Sequence, residues 1–150
     1  MEKMVRHWSY DDRIPSEPDH CATIIGLVLE QLEKSGWANK DVFGIHMAME
    51  EAILNAIHHG NHCAPDQDVH VVIELSEDRF YSKITDQGDG FDPNSLPDPT
   101  AEENLEKECG RGVLLIKSFV DVVVYNAKGN SLEITKHRSD LEGDDNANTE

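Results

Sequence analysis

Positive charge is scarce in this chain: 13 Lys and Arg stand against 30 Asp and Glu in 150 residues, a formal net charge of −17. No basic stripe is available to displace phosphate counterions, which argues against nucleic acid as a partner. The same shortage argues against an anionic membrane surface. Cysteine is scarce too. Cys21, Cys63 and Cys109 are scattered and form no CxxC pair, so neither a disulfide framework nor a zinc ribbon is suggested. Long apolar runs are missing. The longest, near Ile24 to Leu29, is far too short to span a bilayer and contains Gly26, and Met1 to Ser9 holds no apolar signal region. These absences read as a soluble, reduced, cytoplasmic protein with no membrane segment. The length suits one domain with a real core. We expect that domain over residues 1–138. Residues 139–150 carry five acids and no Lys or Arg, and read as a disordered tail.

The pattern along the chain predicts the order βααββαββ. Weak alternation over Met4 to Tyr10 suggests an edge strand, followed by a loop over Asp11 to Pro15. Ser16, ahead of Glu17, Pro18 and Asp19, reads as a helix cap, and Ser35-Gly36 as that helix's stop near Lys34. Asn39 reads as the cap of a second helix running to about His59, stopped by Gly60-Asn61. Val69 to Leu75 and Phe80 to Thr85 read as a hairpin. Gly110-Arg111-Gly112 is expected to open a short apolar helix to about Val120. A second hairpin joins Asp121 to Asn126 with Ser131 to His137 around Lys128-Gly129-Asn130. Hairpin-joined strands with helices between them imply an α+β two-layer sandwich, helices on one face of a mainly antiparallel mixed sheet.

Chemistry concentrates on the second helix. At about 100° per residue, Ile45, Met49, Ala52 and Ala56 share one face, while Phe43, Met47 and Leu54 cover the far side. A helix apolar almost all round is buried on several faces, so its polar exceptions carry information. Glu51, Asn55, His58 and His59 fall in one stripe, whereas Glu50 points elsewhere by about 100°. A half-buried carboxylate can accept a proton, and an amide oxygen beside it can bind a hard cation such as Mg²⁺. An ordinary solvated stripe of i,i+4 pairs has the same appearance. Two Gly-rich turns shift the balance. Asp86-Gln87-Gly88-Asp89-Gly90-Phe91 follows a strand, where Gly88 and Gly90 permit close backbone approach and Asp86 can accept from the amino group of an adenine. It lacks the spacing and terminal Glu of a calcium loop. Gly110-Arg111-Gly112 opens a helix and so offers an anion site.

Taken in order, Glu51-Ala52-Ile53-Leu54-Asn55-Ala56-Ile57-His58-His59-Gly60-Asn61, Asp86 to Phe91 and Gly110 to Gly112 resemble the three boxes of the Bergerat-type ATP-binding fold, shared by gyrase, MutL and the histidine kinases. Within that superfamily the chain resembles the anti-sigma factor serine kinases, over roughly Arg6 to Lys136. The resemblance implies ATP and Mg²⁺ as cofactors, with Glu51 as general base and Asn55 as Mg²⁺ ligand. It implies a nucleotide site built from Asn55, His59, Asp86, Gly88, Gly90, Phe91, Gly110, Arg111, Gly112, Val113 and Thr135. Val113 stands where the family usually has Leu. Asp92 to Cys109, with three prolines and six acids, corresponds to a lid over the nucleotide. The implied partners are a sigma factor and an anti-sigma antagonist whose serine is phosphorylated, and the implied assembly is a homodimer. A non-catalytic ATP-binding module that sequesters a protein partner is the competing reading. His58, His59, His62 and Cys63 invite a metal reading, but no HExxH motif or fixed zinc spacing accompanies them.

Overall fold

The computed structural model of the chain describes residues 8–88 and 115–139. Five strands form one sheet: β1 (Trp8–Pro15), β2 (Asp68–Leu75), β3 (Arg79–Thr85), β4 (Val122–Tyr125) and β5 (Ser131–His137). Their spatial order is β1-β2-β3-β5-β4, and every pairing is antiparallel. Helices α1 (Pro18–Lys34) and α2 (Asn39–Asn55) precede β2, and a short helix α3 occupies 115–119. No helix of the described residues is long and apolar enough to cross a membrane.

Register explains which face is buried. Val71 pairs with Ile84, Ile84 with Leu132, and Ser82 with Ile134, so these residues share one face of the sheet. That face joins Ile24, Val28, Leu32, Ile45, Met49, Ile53 and Ile57 of the helical layer in a single core. Each large side chain so buried contributes about 1.5–3 kcal/mol. The opposite face carries His70, Glu74, Tyr81, Lys83 and Glu133, none of them buried. A two-layer sandwich with helices on one face is therefore what the alternation in β2, β3 and β5 dictates.

Three local expectations fail for tertiary reasons. The first strand does not end at Tyr10; it continues to Pro15, because every residue from Trp8 to Pro15 has a partner in β2, from Leu75 to Asp68. Residues 4–7 lie outside the described residues. Ser16 does not cap α1. Its hydroxyl donates to the Gln67 carbonyl at 2.7 Å, and Glu17 occupies the cap position without a side-chain bond. Asn39 is already helical, with Ala38 ahead of it. The stop of α1 does follow the sequence: Gly36 takes φ 75°, and the Trp37 amide reaches back to the Leu32 carbonyl at 3.1 Å. Ser139 is anchored, its amide and hydroxyl both donating to the fully buried Asp41 carboxylate at 2.9 and 2.7 Å. Residues 140–150 lie outside the described residues.

Helix packing yields a pair of opposite expectations. A Cβ added to Gly44 would stand 2.8 Å from the Phe119 carbonyl oxygen, where α3 crosses α2 and Phe43 meets Phe119 edge to face. A Cβ on Gly26, midway along α1, would meet nothing within 4 Å. Gly44→Ala should therefore lower the melting temperature, since overpacking costs about 1–3 kcal/mol and outweighs the gain in helix propensity. Gly26→Ala should raise it, by up to about 1 kcal/mol of stability. Thermal unfolding of both variants checks the signs; a stabilised Gly44→Ala would show that α3 moves aside freely.

Candidate functional site

The alternation that buries Phe80, Ser82 and Ile84 delivers Asp86, one residue beyond β3, to the helix-covered side of the sheet. The β4–β5 turn grips it there. The Asp86 amide donates to the Asn130 carbonyl at 2.9 Å, and Asn130 Nδ2 returns a bond to the Asp86 carbonyl at 3.0 Å. Asn126 Oδ1 accepts from the amides of Gly129, Asn130 and Ser131, which fixes the turn itself. The Asp86 carboxylate accepts from the Gly88 amide at 2.9 Å. Burial pushes its carboxyl above the usual carboxylate range; the Gly88 bond and the charges of Lys128 and His62 oppose that rise.

The far end of the α2 helix packs onto this turn. After Asn55 the helix widens into a single π turn, Ala56–Gly60, closed by the Asn61 amide on the Ala56 carbonyl at 2.8 Å. Such π turns recur at functional sites. A Cβ on Gly60 would collide with the Asp86 carboxylate, and one on Gly88 would collide with the Gly60 carbonyl. Backbone leaves room only for glycine at position 88, and a side chain at position 60 would displace the Asp86 carboxylate, so helix end and strand-end turn are interlocked. Glu51 and Asn55 stand half-buried on the same helix, one turn apart, Glu51 just before the buried pair Ala52–Ile53 and Asn55 just before the buried pair Ala56–Ile57. Glu50 turns away: it lines a groove of about 400 Å³ between α1 and α2, beside Cys21, Ile25 and Leu54, and pairs with His46 at 3.6 Å. Burial, with the Glu50 charge second, pushes the Cys21 thiol up to about 12.

A helix bearing a half-buried carboxylate and amide, whose end meets a half-buried aspartate at Gly60, agrees with a match to a known family. The histidine kinase-like ATPase domain profile matches residues 14–136. The chain belongs to that family. Among curated relatives, the serine-protein kinases RsbW of Staphylococcus aureus strains bovine RF122 / ET3-1 and MRSA252 are each 26% identical over 133 residues, covering 83% of this chain and 84% of theirs. In three dimensions the chain is similar to the RsbU and RsbW domains of Rv1364c from Mycobacterium tuberculosis, at a TM-score of 0.56 and 14% identity. That likeness covers 87% of this chain and only 32% of the other, so the chain spans about a third of it, and it speaks for the fold alone.

For a histidine kinase-like ATPase domain, two of the three sequence boxes meet: the α2 end with Glu51, Asn55 and Gly60, and the turn with Asp86 and Gly88. The half-buried Asp86 acceptor beside Gly60 and Gly88 suits the edge of a flat base. Gly90, Phe91, Gly110, Arg111, Gly112 and Val113, with the lid, lie outside the described residues. His59 is exposed on the π turn, where the wider winding ends the 100° stripe that grouped it with Asn55. Thr135 is not brought to Asp86. It pairs with Tyr81 on the sheet face away from the helices, several rungs from the Thr85–Ser131 pair that closes the strand end. Within the group of histidines and cysteine after α2, His58 Nδ1 meets Cys63 Sγ at 3.3 Å. Among the described residues no three His, Cys, Asp or Glu side chains converge as metal ligands.

Sequence reasoning missed Asn61 and Asn130. Asn61 reads as a helix stop and Asn130 as a hairpin turn, and their partners lie 26 and 44 residues away. The one local signal was an Asn directly after the stop glycine, a residue whose amide can serve a donor and an acceptor at once.

Proposed function

We propose that the chain is an ATP-dependent protein-serine kinase that acts as an anti-sigma factor, holding a sigma factor and phosphorylating a serine of an antagonist protein. The observation that carries this reading is the interlock of Gly60, Asp86 and Gly88 at the end of the helix bearing Glu51 and Asn55. The relatives named serine-protein kinase RsbW support the same activity. Asp86 accepts from the adenine amino group, at the inner end of the site. Asn55 would hold Mg²⁺ through its amide oxygen, and the bound ion would supply charge neutralisation for phosphoryl transfer. Glu51 takes the proton of the attacking serine. The serine oxygen then bonds to the γ-phosphorus, the bond to the β–γ bridging oxygen breaks, and ADP leaves with that electron pair. The strongly acidic surface suits protein partners rather than nucleic acid. A homodimer in the cytoplasm completes the proposal.

Incubation of the chain with γ-labelled ATP, Mg²⁺ and a candidate antagonist tests it: label should appear on a serine of the antagonist. Binding of ATP with no transfer to any cognate antagonist would favour the sequestering module instead. A separate expectation concerns stability. ATP with Mg²⁺ at about 100 times its dissociation constant adds roughly 2.7 kcal/mol, a rise of roughly 5–10 °C in melting temperature for a chain of this size. An equal rise with GTP would remove Asp86 from base recognition, because guanine presents an oxygen where adenine presents an amine.

A further inference from the structure

We infer that Asn61 is the positioning residue that fixes the Asp86–Gly88 turn and thereby sets selectivity for the base; this rests on the reading of Asp86 as the adenine acceptor. Asn61 is 1% exposed, in a loop that is otherwise largely exposed. Its Oδ1 accepts the Gln87 amide at 2.7 Å, directly beside Asp86. Its Nδ2 donates to the Asp68 carbonyl at 3.0 Å and to Ser16 Oγ at 2.9 Å. The Ser16 hydroxyl in turn donates to the Gln67 carbonyl. Gln87 closes the ring from outside, its Oε1 accepting the Asp68 amide at 2.6 Å. One side chain thus ties the entry to α1, the end of the α2 helix, the start of β2 and the turn after β3.

The chemistry dictates an amide here. The Gln87 amide is a donor and the Asp68 carbonyl an acceptor, and both have fixed polarity. A carboxylate satisfies only the first, and an apolar side chain satisfies neither. The backbone bends to deliver Asn61. The next two residues, His62 and Cys63, take left-handed φ of 53° and 57° without being glycine, a conformation that persists only where surrounding contacts enforce it. Asn130 holds the strand side of the turn, and Asn61 holds the helix side. Without Asn61, Asp86 stays attached to the sheet but loses its setting against Gly60.

Asn61→Asp keeps the volume and the acceptor but turns a carboxylate oxygen toward the Asp68 carbonyl. Dissociation constants for Mg²⁺-ATP, Mg²⁺-GTP and Mg²⁺-tripolyphosphate are measured by calorimetry on the full chain, in the wild-type and Asp86→Asn backgrounds. In the wild-type background, Asn61→Asp should weaken ATP roughly tenfold to a hundredfold, leave tripolyphosphate within about twofold, and erode the preference for ATP over GTP. In the Asp86→Asn background it should add no more than about twofold, since the two residues act as one unit. Equal losses for ATP and tripolyphosphate, or the full loss repeated in the Asp86→Asn background, would overturn the inference. If Asn61→Asp does not fold, Gln87→Ala loosens the same turn from the solvent side. It should lower the ATP-over-GTP preference by about threefold or more, and unchanged selectivity overturns the inference. A wild type that does not prefer ATP over GTP removes the Asp86 reading and this inference together. A selective wild type whose Asn61→Asp variant stays selective overturns this inference alone.

Discussion

Glu51→Ala should lower serine phosphorylation by roughly 10²–10⁴-fold, the usual consequence of losing a general base, while ATP affinity stays within about twofold. The expectation follows from position. Glu51 is half-buried one helical turn before Asn55, so the proposed proton acceptor and the proposed cation ligand lie on one face of the helix. In the proposed mechanism Glu51 would meet the attacking hydroxyl and not the base of the nucleotide, so its loss should fall on turnover. Asn55→Ala should weaken Mg²⁺-ATP binding and phosphorylation together. Glu50→Ala is the control. Glu50 has the same chemistry one residue earlier, but it lines the α1–α2 groove beside His46 and should change neither quantity. The measurement is the initial rate of antagonist phosphorylation at saturating ATP, with ATP affinity determined in parallel for all three variants. Wild-type turnover in Glu51→Ala would remove the base assignment. A matching loss in Glu50→Ala would show that helix integrity, not a proton, is being measured.

The contrast between Glu50 and Glu51 was legible because a long apolar helix makes angle the only variable: the two side chains differ by about 100°, and the core accepts only one arrangement. The hairpins were legible for a similar reason, since alternation in β2, β3 and β5 leaves a single face to bury. Gly88 was legible as a point of close approach, though what approaches it, the Gly60 carbonyl, was not. The failures share a cause. Ser16, Asn61 and Asn130 all have turn or cap chemistry nearby, and the nearest partner is the obvious guess, yet their bonds run to residues 51, 26 and 44 positions distant. The strand beyond Tyr10 was hidden because Asp11, Asp12 and Arg13 look like a loop until β2 lies alongside. The π turn leaves no periodic trace in five residues. Thr135 is different: its neighbour Ile134 is fully buried, and alternation alone turns Thr135 to the other face.

Asp86→Asn should move stability and binding in opposite directions. Burial holds the Asp86 carboxyl above the usual carboxylate range, so the folded chain keeps this proton to higher pH than the unfolded chain does. The stability linked to that proton is fully present below the unfolded carboxylate pKa and is lost as pH rises through the raised folded value. At neutral pH the ionised group is therefore a net cost to the empty protein. Asparagine keeps the shape and an oxygen for the Gly88 amide, and it carries no charge to desolvate. The empty Asp86→Asn variant should melt higher than wild type at neutral pH, and the difference should close as pH falls below the ordinary carboxylate range. Binding should go the other way. A hydrogen bond to a charged acceptor is worth about 1.5–3 kcal/mol, so ATP affinity should fall by roughly tenfold to a hundredfold. In the proposed site the adenine amine, by donating to the ionised carboxylate, would offset the same desolvation cost that weakens the empty protein. Melting curves from pH 4 to 8, with and without ATP and Mg²⁺, test both halves at once. An Asp86→Asn variant that is less stable when empty would mean that the carboxylate is held by its hydrogen bonds rather than strained by burial. One that is more stable and still binds ATP fully would place the adenine acceptor elsewhere.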